Sequence, residues 1–216
     1  MEKKHAESRG TAAPLIPAEL SLPALKKASS GCRACDLWER GTQTVFGNGL
    51  VTAGLVLVGE QPGNEEDLEG LPFVGPAGRV LDKALEAAGI ERNDAYVTNV
   101  VKHFKWVPKG KLRLHQKPNA REIGACLPWL EAEIDLIRPE VLVAMGATAA
   151  QGIFGKDVRV TRDRGRFIPS SLAQYVTVTV HPSSILRSRT DEERRAAMAG
   201  FVEDLKIVAK VLSGKK

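Results

Sequence analysis

The apolar residues of this chain follow two periods in alternation, one typical of buried strands and one of amphipathic helices. Four short apolar runs rich in β-branched residues predict buried strands at 55–58, 95–98, 141–144 and 175–180. Apolar residues at helical spacing predict helices that begin near Pro76, Pro118, Ala147 and Asp191, the last taken as the N-cap. This alternation indicates an α/β protein with three layers, α/β/α, around a central four-stranded, mostly parallel sheet.

The two ends of the chain differ in pattern. Residues 1–30 are rich in Ala, Pro, Lys and Ser without clear periodicity, and we expect a loosely ordered N-terminal leader there, with one short helix over 23–29. Residues 31–213 are long enough to form a single domain with a continuous core. Between the second strand and the next helix, residues 102–121 carry seven Lys and Arg and no acid, which predicts a long basic loop.

The overall charge narrows the range of partners only slightly. The formal charge of +5 permits a polyanionic partner without requiring one, and a solvated basic loop explains residues 102–121 equally well. No apolar run reaches the roughly 18–20 residues of a membrane span, and the N-terminus lacks the apolar block of a secretory signal. We therefore expect a cytoplasmic protein without membrane contact, and nothing in the sequence indicates more than a monomer.

Polar segments directly follow three of the predicted strands. Ligands of parallel sheets bind beyond the carboxyl ends of the strands, so side chains from these segments are expected to converge in one crevice. The segments are Gly59-Glu60-Gln61-Pro62-Gly63, Asn99 and His181-Pro182-Ser183-Ser184.

The three cysteines point to metal binding or to core packing. An odd number without an export signal argues against a disulfide framework. Cys32 and Cys35 form a C-x-x-C pair, whose tight turn can aim both sulfurs at one metal or cluster, and Cys126 lies in a predicted helix. The spacing leaves a four-ligand site one ligand short, so both interpretations stay open on spacing alone.

Four ordered motifs, GEQPG, LPFVGPAGRVLDKALEAAGI, YVTNVVKHF and HPSSILR, resemble those of the family-four uracil-DNA glycosylases. The resemblance runs from about Cys32 to the C-terminal helix. It implies a uracil-DNA glycosylase-like fold, a 4Fe-4S cluster, and uracil-containing DNA, preferably single-stranded, as partner. His103 stands where that family has a cysteine, so the resemblance implies Cys32, Cys35, His103 and Cys126 as cluster ligands.

The same resemblance implies roles in a uracil pocket. Asn99 would read the uracil edge with the donor and acceptor of its amide, Phe73 would stack on the base, and His181 would stabilise charge on the departing uracil. Gly59 would let the backbone approach the ligand closely. Further substrate contacts are expected from Gln61, Ser183, Ser184 and Arg187.

Three features resemble one subgroup of that family, UdgX. Two are His103 and Gln61, the latter at a position where family four usually has Ala. The third is the segment Lys109-Gly110-Lys111-Leu112-Arg113-Leu114-His115, which is similar to the subgroup's loop motif KRRIH with Leu112 in place of its first internal Arg. In UdgX proteins the loop histidine attacks C1′ after uracil leaves. The resemblance therefore implies His115 as a nucleophile, with Glu60 orienting it and accepting its proton.

Two other functions stay open beside this single-turnover glycosylase that traps its DNA product. One is a conventional uracil-DNA glycosylase that uses water, with His115 as a bystander. The other is a non-catalytic iron–sulfur protein that binds DNA or transfers electrons.

Overall fold

A computed structural model describes residues 10–214 and has a parallel four-stranded sheet at its centre. The sheet order is β2-β1-β5-β6, and every neighbouring pair in it is parallel. The strands are β1 (Leu55–Gly59), β2 (Ala95–Asn99), β3 (Trp106–Lys109), β4 (Leu112–His115), β5 (Val141–Met145) and β6 (Tyr175–Thr179).

Helices cover both faces of this sheet, which confirms the predicted three-layer α/β/α fold. They are α1 (Leu22–Ser29), α2 (Asn64–Glu69), α3 (Pro76–Ala88), α4 (Ala120–Ile137), α5 (Ala147–Phe154), α6 (Val160–Asp163), α7 (Pro182–Leu186) and α8 (Asp191–Ser213). On one face Val56 packs in a buried cluster with Trp129 of α4, and on the other Leu57 packs with Leu81 of α3 and Phe201 of α8. Consecutive residues of β1 therefore serve opposite layers.

The segment before the sheet is packed, contrary to the loosely ordered leader expected over residues 1–30. The predicted short helix is present as α1, and Leu25 on it is fully buried in the same cluster as Trp129. Ala12 is also fully buried, and its backbone N–H donates to the carbonyl of Ala125 in α4 at 2.8 Å. The expectation is wrong for residues 10–29 because single apolar side chains anchor them; residues 1–9 lie outside the described part of the chain.

The basic stretch contains an antiparallel hairpin, where a long loop was expected. Strands β3 and β4 pair with each other in the register Trp106↔His115, and Gly110 makes the turn with a left-handed φ of +59°. The hairpin is largely exposed on both faces and contains Pro108, so it lacks the alternation of apolar and polar residues that announces a half-buried strand.

Two element boundaries also differ from the expectation. Thr190, rather than Asp191, is the N-cap of α8: its side chain accepts from the backbone N–H of Glu193, whose carboxylate accepts from the N–H of Thr190 in return. The last sheet strand ends at Thr179, one residue earlier than predicted. Among the described helices, none combines the length and the apolar character that crossing a membrane requires.

Candidate functional site

A cavity of about 870 Å³ opens at the carboxyl ends of the sheet strands. The three polar segments that follow β1, β2 and β6 converge there, as the sequence predicts, and the hairpin contributes from one side. Nine of the predicted catalytic and substrate-binding residues line it: Glu60, Gln61, Phe73, Asn99, His115, His181, Ser183, Ser184 and Arg187.

Asn99 contributes an unpaired acceptor to this cavity. Its side chain is 2% exposed, and its Oδ1 atom is buried without a hydrogen-bond partner in the described structure. Gly59 lies directly opposite on β1: a Cβ there would collide with Oδ1 of Asn99 and come within 2.6 Å of Cζ of Phe73. The missing side chain of Gly59 therefore makes room for two cavity residues, whereas the close approach of its backbone to a ligand stays a prediction.

Phe73 holds an uncommon backbone conformation at the cavity wall. Its φ is +58°, a left-handed value that is sterically costly for an aromatic residue. The ring is buried and its centroid lies 6.0 Å from that of His181. Gly78 at the start of α3 permits this conformation, because any Cβ at Gly78 would collide with the carbonyl oxygen of Phe73.

His181 precedes α7 with its tautomer set by local hydrogen bonds. Its Nδ1 accepts from the backbone N–H of Ser183 at 3.2 Å and lies 2.8 Å from Oγ of Ser183, which itself accepts from Arg187 at 3.0 Å. An accepting Nδ1 leaves the ring proton on Nε2. Burial, together with the charges of Arg187 and His115, lowers the pKa of His181 to about 4, so the ring is neutral at pH 7.

The two serines of this segment have internal partners. Ser183 Oγ bridges Arg187 and His181, and Ser184 Oγ donates to the carbonyl of His181 at 2.7 Å. Both hydroxyls therefore hold the His181 turn in place in this structure, although both residues also line the cavity where substrate contacts were expected.

Glu60 and His115 meet at the mouth of the cavity from two separate elements. Oε1 of Glu60, just after β1, lies 3.4 Å from Nε2 of His115 at the end of β4. The Glu60 side chain is 21% exposed and that of His115 is 51% exposed. A carboxylate at this distance can orient an imidazole and take up a proton from it.

Gln61 is bonded to the hairpin rather than left free for a substrate. Its Nε2 donates to the backbone carbonyls of Lys105 at 3.3 Å and Gln116 at 3.0 Å, and its Oε1 accepts from the N–H of Lys105 at 3.3 Å. These two residues flank the hairpin on either side. One buried amide thus closes the base of the hairpin, next to His115.

A second anchor of the hairpin was not among the predicted site residues. Arg113 of β4 donates to Oδ2 of Asp67 at 2.6 Å, and Asp67, whose side chain is fully buried, also accepts from the N–H of Thr42 at 2.9 Å. A buried acid with a distant basic partner has no local sequence signal, since these residues are 46 positions apart.

Glu66 was also missed, although a signal for it exists. Its carboxylate accepts from the N–H of Gly63 at 3.0 Å and from the N–H of Gly75 at 2.8 Å, which ties together the two loops that carry Glu60 and Phe73. An acid three residues after Gly63 fits the capping-box spacing at the start of α2.

The three cysteines form a group of free thiols near one another. Cys32 and Cys126 are buried and Cys35 is half-buried. Each sulfur accepts an N–H: Cys32 from Trp129 Nε1 at 3.3 Å, Cys126 from the backbone of Lys102 at 3.2 Å, and Cys35 from the backbone of Leu37. Such donors stabilise cluster sulfurs.

Burial is the main influence on the pKa values of two of the three thiols. It raises the pKa of Cys126 to about 12, offset in part by Lys102, and it also raises the pKa of Cys35. The neighbouring cysteines raise these pKa values further, which is the mutual repulsion that a bound cation relieves.

His103 is held as a neutral imidazole with one nitrogen left to act as a ligand. The Thr44 hydroxyl donates to the carbonyl of Ser29 at 2.9 Å, so it accepts from Nε2 of His103 at 3.0 Å. Burial lowers the pKa of His103 to about 4, with Asp67 opposing this shift. The Nδ1 lone pair is therefore available to a metal.

The donor types of these four residues are compatible with an iron–sulfur cluster. Over residues 10–214, no group of three or more His, Cys, Asp and Glu side chains could hold a metal ion. Convergence on one point is a requirement of a single ion, whereas each iron of a four-iron cluster takes one protein ligand. The donor set of three cysteines and one neutral histidine fits such a cluster chemically.

Comparison with known proteins gives uracil-DNA glycosylases for both the family model and the relatives. The model of the uracil DNA glycosylase superfamily matches residues 46–206. A type-4 uracil-DNA glycosylase of Thermotoga maritima is 41% identical over 77% of this chain and 84% of its own. The type-4 uracil-DNA glycosylase of Sulfurisphaera tokodaii is 39% identical over 77% of this chain and 76% of its own. That of Pyrobaculum aerophilum is 32% identical over 78% of this chain and 86% of its own.

Proposed function

The chain belongs to the uracil-DNA glycosylase superfamily, and from that premise we propose that it excises uracil from DNA and then bonds its own His115 to the abasic sugar. Uracil-DNA glycosylase activity follows from the family. The covalent capture, the iron–sulfur cluster and a preference for single-stranded DNA are proposed for this chain.

The orphaned acceptor of Asn99 is the observation that carries the uracil assignment. A buried carbonyl oxygen without a partner is destabilising unless a ligand supplies an N–H. The N3–H of uracil is such a donor, while the adjacent amide NH₂ of Asn99 can donate to O4. Cytosine has an unprotonated N3 and an amino group at C4, and therefore opposes both contacts.

His181 is suited to stabilise uracil as it leaves. Breaking the bond between N1 and C1′ places its electron pair on the base, with negative charge shared by O2. A neutral imidazole with its proton on Nε2 can donate a hydrogen bond to that oxygen while its Nδ1 accepts from Ser183. Phe73 supplies the face on which the extruded base stacks.

Capture by His115 is possible because the sugar is short of electrons once uracil has left. Departure of the uracil anion leaves an oxocarbenium ion at C1′, a strong electrophile. In the observed arrangement Nε2 of His115 faces Glu60 and can direct its proton there, so the lone pair on the other ring nitrogen is available to form the bond to C1′. The resulting imidazolium passes its proton to the Glu60 carboxylate, and the uracil anion takes a proton from solvent.

Cys32, Cys35, His103 and Cys126 are the residues that would hold a 4Fe-4S cluster. When bound, the cluster would cross-link the segment before β1, the residues after β2 and helix α4, and its task in this proposal is structural. The N–H donors on all three sulfurs and the neutral His103 support this ligand set.

The preference for single-stranded DNA rests on the cost of extrusion. A base in a duplex must be unpaired before it enters a closed pocket, whereas a base in a single strand needs only to be unstacked. The exposed basic hairpin beside the cavity supplies charges that suit a flexible phosphate backbone.

One experiment separates this function from the alternatives. The protein is incubated with a labelled single-stranded oligonucleotide containing one uracil, denatured by heat and detergent, and analysed on a gel before and after alkali. We expect a shifted band that survives denaturation. Strand cleavage by alkali without a shifted band would instead identify a turnover glycosylase, and an unchanged oligonucleotide would identify a non-catalytic DNA-binding protein.

A further inference from the structure

The Lys102 ammonium is buried next to the backbone of Asn99 and takes no part in the excision and capture steps proposed above. The Lys102 side chain is 1% exposed and pairs with Glu133, which is fully buried, at 2.6 Å. Glu133 also accepts from the hydroxyl of Tyr96 at 2.8 Å and from the N–H of Gly47 at 3.0 Å. A buried ion pair is a poor source of stability, because the desolvation of both charges offsets their attraction.

The same ammonium donates a hydrogen bond to Asn99, the residue that is proposed to bind uracil. Its Nζ atom donates to the backbone carbonyl of Asn99 at 2.8 Å and to Oγ1 of Thr98 at 2.6 Å. With Glu133 these partners use all three of its protons. Asn99 is the last residue of β2. The peptide that follows it donates its N–H, that of Val100, to the carbonyl of Gly59 at 3.0 Å, and its carbonyl accepts from Lys102, so these two bonds together fix its plane.

We propose that Lys102 is a positioning residue for uracil recognition: its ammonium, held by Glu133, fixes the Asn99 peptide and thereby aims the unpaired Oδ1 at the base. This inference rests on the proposed function, because it concerns how the uracil contact of Asn99 is kept in register. The backbone of Asn99 is set on one side by its pairing with Gly59 and on the other by Lys102.

Two DNA ligands distinguish positioning from a general role in folding. The first is a single-stranded oligonucleotide with an uncleavable 2′-fluorinated deoxyuridine, which presents uracil to Asn99. The second carries a tetrahydrofuran abasic site, which presents no base. For Lys102→Met we expect affinity for the first to fall about tenfold and affinity for the second to stay within about twofold.

Combination with Asn99→Ala gives the sharper readout. Once the Asn99 amide is absent, its orientation no longer matters, so Lys102→Met should cause less than about a twofold further loss for the uracil ligand. Arg164→Met is the control, because Arg164 is a different, partly buried cation that is bonded to Asp204 at 2.9 Å and not to Asn99. Any fold loss of affinity caused by Arg164→Met should multiply with the fold loss caused by Asn99→Ala.

The paired variant Lys102→Met/Glu133→Gln protects the test against misfolding, since it leaves no unpaired buried charge. Equal weakening for both DNA ligands, or effects of Lys102→Met and Asn99→Ala that simply multiply, would overturn the inference. Failure of the proposed function has a different signature: the unaltered protein would not release uracil and would not prefer the uracil ligand over the abasic one.

Discussion

Glu60 and His115 are 55 residues apart in sequence, and their side chains meet with Oε1 and Nε2 separated by 3.4 Å. The carboxylate belongs to the turn after β1, and the imidazole belongs to the hairpin, whose two strands form a sheet separate from the central one. The pairing places a proton acceptor beside the proposed nucleophile at the mouth of a cavity that also contains Asn99 and His181.

Removal of the imidazole should separate excision from capture. We expect His115→Ala to form no adduct that survives denaturation while it still releases uracil, because Asn99 and His181 remain and water can reach C1′. Glu60→Gln should lower the rate of adduct formation by at least about tenfold, since the imidazolium loses its proton acceptor. Adduct bands on denaturing gels and released uracil measure the two steps, and an adduct that persists in His115→Ala would contradict the assignment.

Removal of the amide at the hairpin base should weaken capture specifically. Gln61→Ala abolishes the bonds to the backbone of Lys105 and Gln116, so His115 loses its fixed position and adduct formation should slow by about 10- to 100-fold. Gln116→Ala is the matched control, because Gln61 bonds only the main chain of Gln116. Equal adduct rates for the two variants would refute this role of Gln61.

A methyl group at Gly59 should damage uracil recognition. It would push against Oδ1 of Asn99 and the ring of Phe73, so Gly59→Ala should lower single-turnover uracil release by about 100-fold. Gly124→Ala is a control in α4, where the added methyl meets no atom within 4 Å outside the adjoining helix backbone and alanine favours the helix. A Gly59→Ala protein with normal release would show that the two side chains yield without consequence.

The proposed role of His103 as the fourth cluster ligand is testable by exchange. We expect His103→Cys to keep its iron and visible absorbance, with a lower reduction potential because an anionic ligand replaces a neutral one, whereas His103→Ala should lose iron. Iron analysis, visible spectra and voltammetry measure these outcomes. Full iron content in His103→Ala would remove His103 from the ligand set.

The acid limit of excision should depend on His181. Burial, Arg187 and His115 lower the pKa of His181 from its ordinary value near 6.5 to about 4. A group with such a depressed pKa stabilises the folded state above pH 6.5, and that contribution is lost as the pH falls towards 4. Protonation also prevents Nδ1 from accepting hydrogen bonds from Ser183.

Arg187→Met removes one cause of this shift, so the acid limit should move to higher pH. The comparison is best made at saturating protein between His115→Ala and His115→Ala/Arg187→Met, where adduct formation does not interfere. Single-turnover uracil release from pH 4 to 8 measures it. An acid limit that stays in place or moves lower would contradict the stated role of Arg187.

The sheet and its polar edge were predictable because they depend on short-range patterns. Runs such as Leu55-Val56-Leu57-Val58 predict a buried strand. The topology of a parallel sheet then brings the segments after β1, β2 and β6 together. The cavity residues Asn99 and His181 were found in this way, although their roles came from resemblance.

The contacts that shape the site were not predictable because they join distant positions through single side chains. The amide of Gln61 bonds backbone atoms 44 and 55 residues away, and Asp67 pairs with Arg113 across 46 residues. The hairpin itself has two exposed faces and therefore no periodic signal. Ala12 and Leu25 anchor their segment as single buried residues, which also gives no pattern.

The hairpin β3–β4 pairs with no strand of the central sheet. Under the proposed capture by His115, a surface hairpin rather than the hydrophobic core would decide whether an excision enzyme of this architecture stays bonded to its product. The same independence makes the hairpin a candidate for transplantation: grafted together with a glutamine at the position of Gln61, it would convert a recycling relative into a reagent that marks uracil sites permanently.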